Sequence, residues 1–150
     1  MSSFDPNAFL DATITEPTVK RNPLPAGQDF VGTIGAVKMR PWQGKADPTK
    51  SGIVADVPIV IDLSAYPDQK STAKVLLTDG IMLDLTDGGM IDNGKGKNGK
   101  LRRYREALDM NKPGDSFSFR AMEGRLIKVK ISHRTYEGDI FDQVDSVAKA

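Results

Sequence analysis

Between Ile53 and Leu63 every second residue is apolar: Ile53, Ala55, Val57, Ile59, Ile61 and Leu63 fall at period two, with Asp56 and Asp62 opposite them. Side chains two apart on an extended chain share a face, so this run predicts a strand with one buried face and one that meets water. Such a strand cannot stand alone and commits the chain to a sheet. At 150 residues the chain is long enough for one domain with its own core. It has no cysteine and one histidine, His133, which excludes disulfide scaffolds, zinc fingers, thiol chemistry and a His-rich metal site.

The other elements follow from composition and spacing. Phe30 to Met39 is rich in β-branched residues and reads as the first strand, strongly bent at Gly32 and Gly35. Pro41 and the run from Gly44 to Gly52 predict a loop. Pro58 lacks an amide donor and places the Ile53–Leu63 strand at an edge or a bulge. A third strand is expected from Ala73 to Thr86, and it could break at Asp79-Gly80, a dipeptide typical of tight turns. Residues 87–100 hold too much glycine and too few apolar groups to fold alone, and read as a long mobile loop.

Leu101, Tyr104 and Leu108 at helical spacing, stopped by Asn111-Lys112-Pro113-Gly114, predict a helix over about 100–110. Phe117 and Phe119 alternate with serine in a short strand. Ile127, Val129 and Ile131 define another strand over Arg125 to Arg134, and Ile140 to Val147 returns after the turn at Tyr136-Glu137-Gly138-Asp139. Residues 1–27, with Pro6, Pro17, Pro23 and Pro25, form an extended N-terminal arm expected to pack on the domain through Phe4, Phe9 and Leu10. The single domain is then 28–150. Its class is mainly β, and apart from the small extra strand after the helix, five bent antiparallel strands with one helix between the third and fourth is the order of a partly open OB-fold-like barrel; a small sandwich or an elaborated barrel would give much the same order.

Charge narrows the function. The 21 Lys+Arg and 20 Asp+Glu leave a net +1, so any polyanion must be met by local sorting of cations. Between Asp87 and Arg105 there are six positive residues, Lys95, Lys97, Lys100, Arg102, Arg103 and Arg105, against Asp87 and Asp92. Mobile ammonium groups among glycines suit a phosphate backbone; an ordinary solvated loop would look the same. Lys128, Lys130 and Arg134 form a second basic stripe on one strand face, or equally the edge lysines that discourage aggregation. Trp42 stands beside Lys38, Arg40 and Lys45 with no acid near in sequence, as a base-stacking ring or a packed loop anchor. Tyr136, next to Arg134 but one, is the second stacking candidate. Phe30, Phe117, Phe119 and Phe141 lie in strand patterns and read as core.

Catalytic patterns are weak. Gly94-Lys95-Gly96-Lys97-Asn98-Gly99-Lys100 fits the start of a phosphate-binding P-loop, but Leu101 stands where a Ser or Thr should bind Mg²⁺. His133 reads as a surface or hydrogen-bonding residue, and the pairs Asp84 with Asp87 and Asp139 with Asp142 lack further ligands at metal spacing. No enzyme and no cofactor are expected. No apolar run is long enough to span a bilayer and no leader pattern opens the chain, so neither a membrane partner nor secretion is expected.

The segments Arg40-Pro41-Trp42-Gln43-Gly44-Lys45, Gly80 to Thr86, Gly94 to Asn98, Leu101 to Gly114 and Gly124 to Arg134 resemble a family of small proteins from tailed-bacteriophage replication regions, of the single-stranded DNA-binding type. The resemblance implies an OB-fold that coats single-stranded DNA in replication or recombination, in the cytoplasm of the infected host, with phage replication or recombination proteins as further partners. Proteins of this kind often end in a strongly acidic recruiting tail; the stretch from Asp139 to Ala150 is only mildly acidic and strand-like.

The expected function is sequence-nonspecific single-stranded DNA binding. Trp42 and Tyr136 would stack bases, and Lys38, Arg40, Lys45, Lys95, Lys97, Lys100, Arg102, Arg103, Lys128, Lys130 and Arg134 would line the backbone path. The alternative is a phage structural module, capsid-decorating or assembly, or a protein-interaction module. A homo-oligomer is compatible with either.

Overall fold

A computed structural model describes residues 4–150. In chain order the elements are α1 (Pro6–Asp11), β1 (Asp29–Ile34), β2 (Lys38–Gln43), β3 (Ser51–Asp62), β4 (Lys74–Met82), α2 (Gly99–Ala107), β5 (Leu126–Tyr136) and β6 (Asp139–Ala148), with short 3₁₀ turns at Leu63–Ala65, Pro67–Gln69 and Phe119–Met122. All six strands join one open antiparallel sheet. β3 is its spine: β4 pairs along one side, while β2 and then β1 share the other. β1 also pairs β5, and β5 pairs β6. The sheet curls until β4 and β6 line opposite sides of a cleft.

The expected single first strand is two strands. After Ile34 the ladder to β3 stops, and Gly35 donates its amide to the Pro58 carbonyl at 2.8 Å. Pro58 therefore points its donorless side at the gap where β1 gives way to β2. It sits inside the sheet without an orphaned partner, at an irregularity of the kind its residue type demands. Pro41, where the sequence predicts a loop, lies within β2 opposite Ile53, and the strand runs on to Gln43. Since Gly44 donates to Lys50 O, the even-numbered residues of β2 face β3, and Pro41 turns its missing donor to the sheet's free edge.

The period-two reading of β3 holds from Ala55 onward: Ala55, Val57, Ile59 and Ile61 are fully buried, whereas Ile53 is exposed near the hairpin end. With Phe30, Ile34, Val75, Leu77, Ile81, Ile127, Val129 and Ile131 they form the core. Gly32 is required there, because a Cβ at that position would lie 2.5 Å from Ile59 Cγ2 and 3.0 Å from Val60 O. β4 runs unbroken through Asp79-Gly80, which pair with Val57 and Asp56.

α2 buries Leu101, Tyr104 and Ala107 against the sheet, with Leu108 just beyond its end. Phe117 and Phe119 are not in a strand; their rings pack edge to face, 5.3 Å apart, where the chain turns before β5. The arm docks differently from expectation. Phe4, Phe9 and Leu10 are exposed, and the arm is held instead by Leu24, which is buried, and by polar contacts from Lys20 onward.

Candidate nucleic-acid interface

Strand register decides which cations share a face. In β3 the odd-numbered residues point to the core, so the even-numbered ones point outward. Residues directly opposite one another lie on the same face. Lys38 pairs with Asp56, Arg40 with Val54 and Trp42 with Gly52, so these three side chains of β2 face outward. Across the sheet Val31 pairs with Lys128 and Asp29 with Lys130, and the core-facing Phe30 pairs with Val129; Lys128 and Lys130 are outward too. The bulge between Lys130 and Ile131 places its extra residue, Asp145, on β6, so β5 keeps its alternation and Arg134 and Tyr136 also turn outward. Seven of the thirteen expected site residues thus occupy one side of the sheet.

Trp42 is half-buried and belongs to a strand rather than to the loop expected of it. Its indole lies over Gly52, where a Cβ would sit 3.8 Å from Cε3. At that distance even a Cβ at Gly52 would make ordinary van der Waals contact with the ring, which packs beside Gly52 and is part exposed. One row along, Arg40, Val54 and Met82 stand side by side across β2, β3 and β4, and Met82 is 56% exposed. Tyr136, at the β5–β6 turn, is 61% exposed.

The cations differ in their freedom. Arg40 grips Asp56 through Nε at 2.9 Å and Nη2 at 3.3 Å, and this hydrogen-bonded pairing lowers the Asp56 carboxyl and raises the Arg40 guanidinium from their ordinary values. The pair is exposed and so open to competition by a stronger anion. Lys38, Lys45, Lys128 and Lys130 make no ion pair among the described residues. Arg134 lies over the Phe141 ring at 5.2 Å. Phe141 was expected in the core; it pairs with Arg134 on the outward face and is 37% exposed.

Of the remaining expected residues only Lys100 meets this set, lining a cleft with Arg134; the others lie in loops or on α2. Lys45 is in the β2–β3 loop, and Lys95 and Lys97 are exposed in the loop before α2, with Arg102 and Arg103 on the helix. Arg102 reaches Glu106 at 3.7 Å. Lys100 is committed: its Nζ donates to Asp79 Oδ1 at 2.8 Å and to Gly80 O at 2.9 Å. Tyr104, one helical turn on, donates its hydroxyl to the other oxygen of Asp79. Burial, followed by the charge of Asp79, holds the Tyr104 phenol far above its usual range.

The glycine-lysine loop is also more built than its composition implies. Asn98 is buried; its side chain accepts from the Asp84 amide at 2.8 Å and donates to the carbonyls of Asp84 and Asp92 at 2.9 and 2.8 Å. Asp92 in turn donates its amide to Asp84 O, and Leu85 bridges Ile91.

Several residues absent from the sequence reading belong to the same surface. The cleft between β4 and β6, about 600 Å³, is lined by Leu76, Thr78, Phe141, Arg134, Lys100 and Arg21, with the paired Asp79 and Asp142 at its sides. Counting the parity of β4 from Val75 and Leu77 would have put Leu76 and Met82 outward. Nothing in sequence spacing brings Arg21 to Asp142, 121 positions away, at 2.6 Å.

Among the described residues no group of three His, Asp or Glu side chains gathers as a metal site, and no helix is long and apolar enough to cross a membrane. Comparison with protein-family models and with curated proteins finds no match for this chain. What fold and site define is a mainly β protein whose outward sheet face carries Trp42 and a set of cations interspersed with the carboxylates Asp29, Asp56, Asp62 and Asp139.

Proposed function

We propose that this chain binds single-stranded DNA without sequence preference, laying the strand across the outward face of the sheet. The observation that carries the reading is the placement of Trp42: a part-exposed ring on the outward strand face, with Lys38 and Arg40 on that same face and Met82 one row along. Each base stacked on such a ring contributes about 1–3 kcal/mol, and flanking cations gain by releasing counterions from the phosphates. Lys128, Lys130 and Arg134 extend the cationic path, and Tyr136 offers a second ring. No cofactor takes part.

The architecture is compatible with an OB-type barrel. A first strand bent into β1 and β2, then β3, β4, the helix α2, and β5 and β6, with β5 returning to β1 and a cleft between β4 and β6, follows the succession of that partly open fold. Together with the resemblance to phage replication-region proteins, it supports a role in phage DNA replication or recombination in the host cytoplasm. The exposed apolar arm favours a second reading, a protein-interaction module, which need not exclude the first.

Trp42 is the only tryptophan, so its fluorescence reports the site directly. Titration with oligothymidylate should quench it at low salt, and the quenching should weaken steeply as salt rises. Trp42→Ala should lower the affinity about tenfold, followed by electrophoretic mobility or anisotropy of a labelled strand. An unchanged emission together with no retention of the labelled strand at low salt would overturn the reading.

A further inference from the structure

Residues 4–19 carry Phe4, Phe9, Leu10, Ile14 and Val19, each at least 70% exposed. Their charged side chains are Asp5, Asp11 and Glu16, all acidic. Asp5 accepts from the Asn7 amide at 3.0 Å to start α1, and the Phe4 and Phe9 rings stack with centroids 5.4 Å apart. This segment is acidic and aromatic, with one short helix at residues 6–11, and its large apolar side chains are exposed. Exposed apolar groups at this density mark a contact surface. The tether begins only at Lys20, paired with Asp139 at 2.6 Å, and Arg21.

A matching receptor exists on the same chain. Between the glycine-lysine loop and α2 lies a groove of about 710 Å³ with an apolar floor of Ile91, Leu101 and Phe117 and a rim of Lys95, Lys97 and Arg102; no carboxylate lines it. Floor and rim complement the segment in both apolar content and sign of charge.

We propose that the groove receives the acidic, aromatic arm of a second copy of this chain. Each copy offers one arm and one groove, so the contact is head to tail and can repeat along a line of copies. It requires no nucleic acid. It engages cations that lie off the outward sheet face, which stays open.

Sedimentation velocity of the full chain without DNA tests this. Association should grow with protein concentration and weaken with salt. Phe9→Ala with Leu10→Ala, both at exposed positions, should weaken it at least about tenfold. A decisive pair is an arm-reversed variant (Asp5→Lys, Asp11→Lys, Glu16→Lys) and a groove-reversed variant (Lys95→Glu, Lys97→Glu, Arg102→Glu). Each alone should stay monomeric, because like charges then meet; mixed, they should associate, since each arm finds an opposite groove. A chain that is monomeric at every concentration, a concentration-independent compaction that marks an arm in its own groove, or reversed variants that fail to associate when mixed would each overturn the proposal.

Discussion

Asp79 and Asn98 are buried polar residues, and both organise the approach to α2. A buried carboxylate is costly unless paired and hydrogen-bonded. Lys100 and Tyr104 stand four apart on one helix face and reach its two oxygens together. Tyr104→Phe leaves one of those oxygens without its donor and should cost about 1–3 kcal/mol in urea unfolding near neutral pH. The same residue predicts an alkaline limb. The phenol's folded value is raised, so below the unfolded value of about 10 both states hold the proton and the contribution is fully present. Above that pH the unfolded phenol ionises while the folded one does not, and stability falls by about 1.4 kcal/mol per pH unit. Unfolding curves on either side of that value should show a smaller alkaline loss in Tyr104→Phe than in the parent; an equal loss would contradict this account. The pairing also explains why Lys100 could not be judged from sequence. In the segment Gly96-Lys97-Asn98-Gly99-Lys100 two lysines look alike, and only the fold supplies the carboxylate that takes one and leaves the other exposed.

At the scale of elements, periodicity was the reliable guide. Alternation located β3 and β5 and helical spacing located α2, and most of the buried residues are those the periods select; at the hairpin end of β3 the pattern slips, with Val54 buried and Ile53 exposed. Prolines and glycines misled where their meaning depended on which side of a strand was free. Pro41 looked like a loop because a donorless residue breaks a ladder, but on an edge strand its missing amide faces no partner. Gly35 marked the bend correctly, yet only the handover from β1 to β2 along β3 turns a bent strand into two. Gly32 has a different duty, admitting Ile59 close to the β1 backbone. Gly32→Ala should therefore destabilise by about 1–3 kcal/mol through overpacking, read from the urea midpoint, whereas Ala at Gly99, where nothing lies within 4 Å, should not. Asn98 separates conformation from clamping in the loop before α2. It adopts φ +51°, so Asn98→Gly keeps the backbone easily but removes all three side-chain hydrogen bonds. Amide exchange at Asp84 and through residues 91–98 should accelerate in that variant while the β3 and β5 amides stay protected; unchanged protection at Asp84 would show that the side chain does not hold the loop.

For the whole molecule, the question is how a chain of net +1 could hold a polyanion. Seven expected site residues came to one side because they sit on even positions of β2 and β5, and the pairings through β3 and β1 carry that parity across the sheet. Parity within each strand was legible in the sequence; parity between strands was not, since it is set by register. The loop and helix cations fell outside this set for the same reason, no ladder linking them to it. Two groups of cations therefore exist, and DNA binding should distinguish them by salt dependence. For single strands each neutralised phosphate contributes about −0.7 to the slope of log affinity against log salt. Lys128→Gln with Lys130→Gln removes two outward cations that make no ion pair among the described residues, and should make the slope shallower by about 1.4 while the affinity falls. Lys95→Gln with Lys97→Gln removes the same charge from the loop before α2 and should leave the slope close to that of the parent. Equal shallowing by the two doubles would extend the phosphate path around the helix end and refute a site confined to the sheet face; a change by the loop double alone would move the site there altogether.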